Sequence, residues 1–379
     1  MKTIVLGAGL VGGPMSLDLE QDPSLKVTVA DLNEAALRSL KEQAPNLQTE
    51  VVDLSQTENV KSLIQDYDLV LNAVPGFMGY QTLKAIIESG KNVVDIAFCP
   101  ENTLELDELA KKNNVTAIVD CGVAPGMSNI LTGYVYYRMD KTNVALTYVG
   151  GLPKVRSWPY EYKAVFSPID VIEEYTRPAR YVENGQHVVR PALSDAELLN
   201  FPGIGTLEAF NSDGLRTLAD TLDVPNMKEK TLRYIGHIEK MAVLRDSGFF
   251  GTEEIQVGDV SIRPMDLTSK LLFKSWKLEK GEADVTVMQV IAEGTQNGKQ
   301  LRYTYDLLDE YDAKTGVHSM ARTTGYTATM ALRLLSQGLY SEKGIIAPEF
   351  IGKDKACVDF MLAGLAERGV HYKETIDEI

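Results

Sequence analysis

Residues 4–12 read Ile4-Val5-Leu6-Gly7-Ala8-Gly9-Leu10-Val11-Gly12, three glycines spaced G-x-G-x-x-G behind a short apolar run. This spacing marks a strand–turn–helix that holds a dinucleotide. Gly7 allows the tight turn, Gly9 lets the backbone approach a pyrophosphate, and Gly12 lets helix and strand close on each other. The helix expected over 12–20 offers its unpaired N–H groups to the phosphates. A second apolar run, 26–30, ends at Asp31, where a carboxylate accepts hydrogen bonds from the adenosine ribose and repels a 2′-phosphate. The expected cofactor is therefore NAD rather than NADP.

Outward from this unit, strands expected at 3–6, 26–30, 48–51, 69–73, 92–95 and 116–120 alternate with helices at 12–20, 34–42, 57–65, 80–89 and 102–112. Such alternation predicts an α/β fold, a doubly wound parallel Rossmann sheet with ligands at the strand ends. Those ends read Gly7, Asp31, Asp53, Ala73-Val74-Pro75, Asp95-Ile96-Ala97 and Asp120-Cys121-Gly122. With Leu10, Val11, Val123 and Ala124 they make the expected cofactor-binding edge. Past 122–126 the pattern changes. Strand-like pieces at 144–150, 179–182, 231–234, 285–292 and 301–308 point to an α+β substrate domain on an open mixed sheet. The run 322–335 reads as a long buried helix returning to the first domain, where 346–350 and 354–368 finish. The expected division is 1–121 for the NAD-binding domain, 122–320 for the substrate and dimerisation domain, and 321–379 for the returning helices.

Composition narrows the partners. The 379 residues carry 38 Lys+Arg against 53 Asp+Glu, a net charge of −15 that argues against nucleic acid or an anionic membrane. Apolar residues at 44% and charged residues at 24% are those of a soluble globular protein. Cys99, Cys121 and Cys357 are scattered with no C-x-x-C, which suits a reducing cytoplasm and offers neither a disulfide framework nor a metal site. Met1-Lys2-Thr3 runs directly into the first strand, without a signal segment, and no apolar stretch approaches the roughly 20 residues that span a bilayer. The open sheet of the second domain needs cover, so a homodimer through that domain is expected.

Further stretches carry a family resemblance: Leu-Gly-Ala-Gly (6–9), Gly-Val-Ala-Pro-Gly-Met-Ser-Asn (122–129), Tyr-Val-Gly-Gly-Leu-Pro (148–153) and Tyr-Lys-Ala-Val-Phe-Ser-Pro (162–168). Glu-Glu-Tyr-Thr-Arg-Pro-Ala-Arg (173–180), Leu-Glu-Ala-Phe (207–210), Thr-Leu-Arg-Tyr-Ile-Gly-His-Ile-Glu-Lys (231–240) and Gly-Tyr-Thr-Ala (325–328) continue it. In this order they make the chain resemble the saccharopine dehydrogenase superfamily nearly end to end, closest to its lysine 6-dehydrogenase branch. The resemblance implies NAD-dependent oxidation of the lysine side-chain amine to 2-aminoadipate 6-semialdehyde, with release of ammonia. Its alternative is reductive condensation of an aldehyde with an amine using NAD(P)H, as in saccharopine or carboxynorspermidine reductases. A non-catalytic dinucleotide sensor on the same fold is a third reading. Saccharopine reductases carry an aspartate in the loop matching 122–126, where this chain has Ala124. They also carry an arginine in an Asn-Arg-Asp-Ser stretch, where Asn211-Ser212-Asp213-Gly214 stands. Loss of that arginine fits a smaller substrate with one α-carboxylate.

Oxidising an amine by hydride transfer requires a base, because an ammonium has no lone pair to expel hydride. Three candidates arise. His237 follows a strand and a glycine, although a histidine there also caps a helix. Asp95 and Asp120 each end a strand on the cofactor edge, where burial raises a carboxyl's pKa and where aspartates also cap loops. The substrate is expected to be a small amino acid. Arg216 and Lys240 are candidates for its carboxylate, and Phe98 for the wall of the nicotinamide pocket. Thr231 matches a substrate-contacting threonine of the reductases. Tyr162 and Trp158 line the substrate entrance or fill the second core, and Cys121 reads as packing.

Overall fold

Short aliphatic runs make six strands of one parallel sheet: β1 Lys2–Leu6, β2 Lys26–Asp31, β3 Gln48–Val51, β4 Leu69–Asn72, β5 Asn92–Asp95 and β6 Thr116–Ile118. The central ones are buried on both faces, as parallel strands flanked by helices must be. The computed structural model describes residues 1–165, 168–279 and 281–379, so Phe166 and Ser167 of the 162–168 stretch lie outside the described residues. A seventh strand, Gly344–Ile346, pairs with β6 and gives the order Gly344–Ile346, β6, β5, β4, β1, β2, β3. In register, Leu6 stands beside Ala30 and Asn72, and Asn72 beside Asp95. The residues that follow, Gly7, Asp31, Ala73 and Ile96, therefore share one edge. At β1 the strand order turns from one side of the sheet to the other, the place where open α/β sheets bind ligands.

The second sheet is mixed and has nine strands. Lys141–Pro153 lies at its centre, antiparallel to Asp284–Gln296 and parallel to Asn226–Arg233. Lys299–Glu310 and then Tyr372–Glu378 extend one side. Between the two sheets runs the Ser319–Ser336 helix, buried nearly all round. Its Ala328 and Leu332 share a core with Val5 and Leu71 of the first sheet and Met288 and Val290 of the second. A buried carboxylate locks this arrangement. Asp18, on the Gly12–Glu20 helix, accepts hydrogen bonds from Arg333 Nη1 at 2.7 Å, Arg368 Nε at 2.6 Å and Thr329 Oγ1 at 2.6 Å.

Differences from the sequence reading fall where amphipathic signals are weak. A buried helix, Met127–Tyr136, follows the 122–126 turn, and strands Gln186–Arg190, Glu197–Phe201 and Gly205–Asn211 fill stretches that carried no assignment. The strand expected at 231–234 runs Asn226–Arg233, its first half hidden in the sequence because Lys228 and Lys230 break the apolar alternation. Among the described residues, no helix is long and apolar enough to cross a membrane.

Candidate active site

A cleft of about 450 Å³ runs from the ligand edge of the first sheet to the second sheet. The glycine turn forms its first end. Gly7 has φ +107°, and a Cβ on Gly12 would stand 2.1 Å from the Gly7 carbonyl oxygen. A Cβ on Gly9 would meet nothing within 4 Å. The turn is thus sealed on its inner side and open towards the cleft, the shape a pyrophosphate requires. Asp31 lines the mouth, with Oδ2 accepting the Ala8 N–H at 2.6 Å and Oδ1 the Asn33 N–H at 2.8 Å. These residues fit a pyridine dinucleotide, which the 9–12 turn and Asp31 would hold.

The other residues expected at this edge also line the cleft, from Leu10 and Val11 through Ala73, Val74 and Pro75 to Ile96, Ala97, Gly122, Val123 and Ala124. Asp53 is the exception and must be corrected. It follows the outermost strand, and its carboxylate accepts the backbone and hydroxyl hydrogen bonds of Ser55, capping a turn.

Midway along the cleft stand Asp120 and Phe98. Arg216 lies beneath the wall, not in it. Its Nε donates to both Asp120 oxygens at 3.3 and 3.2 Å and its Nη2 to Oδ1 at 3.2 Å. Both residues of this buried pair have φ +48°, a left-handed conformation uncommon outside glycine and held here by the ion pair. The guanidiniums of Arg216 and Arg177 lie 4.9 and 4.6 Å from the Phe98 ring centre, fixing the ring by cation–π contact.

The far end is rich in charge. Glu173 and Arg177 pair at 3.3 Å, Glu174 and Arg233 at 2.5 Å, and Asp213 pairs with Arg180 at 3.2 Å. Glu229, Thr231 and Arg233 project from alternate positions of one strand into this end. Thr231 Oγ1 lies 2.8 Å from Ser212 Oγ, which donates to Glu229 Oε2 at 2.8 Å.

Besides Asp53 and Arg216, four further expected site residues do not line the cleft. His237 is fully buried, its Nδ1 2.7 Å from the Tyr160 carbonyl and its Nε2 2.8 Å from the Tyr175 hydroxyl. Burial, helped by the nearby Arg233 charge, lowers its pKa to about 3, so it stays neutral and structural. Tyr162 is buried in the same aromatic cluster, 4.6 Å from the Arg233 guanidinium. Lys240 reaches instead over the exposed Trp158 ring at 5.4 Å, so neither lines a substrate entrance. Asp95 lies below the floor, accepting hydrogen bonds from Asn72 Nδ2 and the Ala97 N–H. Burial raises its pKa to about 7, but no cleft surface reaches it.

Sequence reasoning missed Glu173, Glu174, Arg177, Ser212, Asp213, Glu229 and Arg233. Two signals were available. Glu173 and Arg177 sit at helical i, i+4 spacing, and a strand begun at 226 would have put Glu229 on the Thr231 face.

Comparison with known proteins matches residues 3–118 to the saccharopine dehydrogenase NADP-binding domain and residues 122–370 to the saccharopine dehydrogenase C-terminal domain. The chain is 25% identical over 313 residues to the NADP(+), L-glutamate-forming saccharopine dehydrogenase of Pyricularia oryzae, covering 79% of this chain and 69% of that protein. It is 22% identical to the enzyme of the same name from Schizosaccharomyces pombe, with 98% of each covered. The mitochondrial alpha-aminoadipic semialdehyde synthase of Bos taurus is 23% identical, but this chain spans only 45% of its length. Apo saccharopine dehydrogenase (L-Glu forming) from Saccharomyces cerevisiae superposes with a TM-score of 0.80 over 99% of both chains at 19% identity, a likeness of fold.

Proposed function

Since the chain belongs to the saccharopine dehydrogenase family, we propose that it oxidises the side-chain amine of L-lysine with NAD. The products are 2-aminoadipate 6-semialdehyde and ammonia. The carrying observation is the charge inventory at the far end of the cleft. Every guanidinium nitrogen of Arg233 is engaged, whereas Arg177 Nη1 is buried and has no hydrogen-bond partner among the described residues. One spare guanidinium nitrogen suits the single α-carboxylate of an amino acid. A substrate with a second amino-acid portion brings further carboxylates, and apart from Arg177 and Arg233 the charged residues described in the lining are all acidic.

Bound NAD would supply a two-electron acceptor at its nicotinamide ring. In balance, R–CH2–NH3+, NAD+ and water give R–CHO, NADH, NH4+ and H+. The protein's own residues orient and shield: Phe98 walls the reacting carbon, and Asp120, pinned by Arg216, sets the polar boundary beside it. Purified protein supplied with L-lysine is expected to form NADH and ammonia together. NADPH consumption that requires both the semialdehyde and glutamate would instead support saccharopine chemistry, which the relatives named NADP(+)-dependent and L-glutamate-forming share.

Cofactor choice rests on Asp31. Replacing Asp31→Ser removes a charged acceptor worth about 1.5–3 kcal/mol, so NAD affinity is expected to fall roughly 10- to 100-fold. NADP binding should improve relative to NAD in a fluorescence titration, because the repelling charge is gone. An unchanged ratio of the two affinities rules out the assigned role.

The assembly we propose is a homodimer through the second domain. The hairpin of Ile255–Val257 and Val260–Ile262 forms a separate two-stranded sheet among the described residues and exposes Ile255, Val257 and Val260, which supports burial against a second copy. Light scattering should give twice the chain mass; a monomer refutes it.

A further inference from the structure

We propose that Glu229 docks the reacting ammonium of the substrate and takes up its proton. This rests on the amine-oxidising reading above. The Glu229 side chain lines the cleft yet the residue is only 3% exposed. Its Oε2 accepts the Ser212 hydroxyl at 2.8 Å and the Gly214 N–H at 3.1 Å, while Oε1 accepts no hydrogen bond from the described residues. A Cβ on Gly214 would stand 2.3 Å from the Glu229 carboxyl carbon, so the glycine lets the loop clasp the carboxylate against its own backbone. The carboxylate is held on one oxygen and presented on the other.

The surroundings select a cation. Glu173, Glu174 and Asp213 each face an arginine, and Asp120 is committed to Arg216. Among the described residues no lysine or arginine forms an ion pair with Glu229, and the nearby Glu174 and Asp213 both disfavour its charge. A buried carboxylate without a counter-ion is costly, and an arriving ammonium relieves that cost. Burial, opposed by the Ser212 donor, raises the Glu229 carboxyl to about 8. That places it near the working range of a base.

The steps balance. An ammonium proton passes to Oε1, leaving a neutral amine and a neutral acid. The C–H electron pair then departs as hydride to the nicotinamide, leaving R–CH=NH2+. Water adds to that carbon and releases one proton, giving R–CH(OH)–NH2. Glu229 returns its proton to the nitrogen. The C–N bond breaks as the hydroxyl proton leaves, giving aldehyde and ammonia, which is protonated in water.

The test uses the full-length protein and its Glu229→Gln variant, in which the amide oxygen still accepts from Ser212 and Gly214. Wild-type kcat/KM for L-lysine should rise with pH through about 8, because below that value Glu229 is already protonated. The variant should lose about 100-fold in kcat/KM together with that rise. Its calorimetric affinity for cadaverine should fall at least tenfold, with NAD affinity unchanged. Ser212→Ala removes a donor that stabilises the carboxylate, so its profile should move to higher pH and cover any folding failure of the first variant. Wild-type cadaverine affinity or a wild-type pH profile in Glu229→Gln overturns the assignment, as does an unmoved profile in Ser212→Ala. If the wild type leaves L-lysine unoxidised but binds cadaverine through Glu229, the functional reading fails and the ammonium site stands.

Discussion

Arg216→Met is expected to destabilise the protein by about 3–5 kcal/mol, since it strips the partner from a buried carboxylate. Asp120 and Arg216 are 4% and 5% exposed, so little water can replace the lost interaction. The left-handed backbone at both positions adds strain that the ion pair no longer offsets. Adding Asp120→Asn removes the stranded charge and suits a left-handed residue, so the double variant should regain most of the stability in urea unfolding. Turnover should not return. Arg216 also fixes the Phe98 ring and aims Asp120 at the cleft. A small displacement there is expected to cost about 100-fold in kcat/KM. Equal stability of the single variant and wild type would show that the pair contributes nothing net.

Gly12→Ala should weaken dinucleotide binding by about 1,000-fold or more, equivalent to roughly 4 kcal/mol. The added carbon would lie 2.1 Å from the Gly7 oxygen and 2.9 Å from its carbonyl carbon. Gly7 cannot yield, because a shift there presses on the Ala73 carbonyl, 2.6 Å from where its own Cβ would be. Both obstacles are backbone, so the turn itself must open. Gly9→Ala separates fold from ligand. Nothing in the free protein obstructs its Cβ, so melting should be unchanged while affinity for NADH drops, as read by nicotinamide fluorescence. Full affinity in Gly12→Ala would mean that phosphates bind elsewhere.

The nucleotide half was legible because its signals are local. Glycine spacing, a following helix and an acid at a strand tip lie within 28 consecutive residues, 4–31, and parallel register aligns the strand ends without help from the rest of the chain. The far half is assembled across distance. Glu229 meets Ser212 and Gly214 only because strand Gly205–Asn211 turns back on Asn226–Arg233, and Glu174 reaches Arg233 from a helix that closes over both. His237 shows the same limit from the other side. Its residue type and glycine neighbour suggested chemistry, yet burial among Tyr162, Tyr175 and Trp276 keeps it neutral. Asp120 was found at its strand end, but its arginine lies 96 residues on.

The strand Gly344–Ile346 and the Asp18 clamp with Arg333 and Arg368 bear on biosynthesis. A nascent chain that has emerged only through β6 lacks an edge of its nucleotide sheet and leaves Asp18 without its cations. The complete sheet and clamp therefore form only once residues through 368 have been translated. The glycine turn, translated well ahead of them, gains this support late.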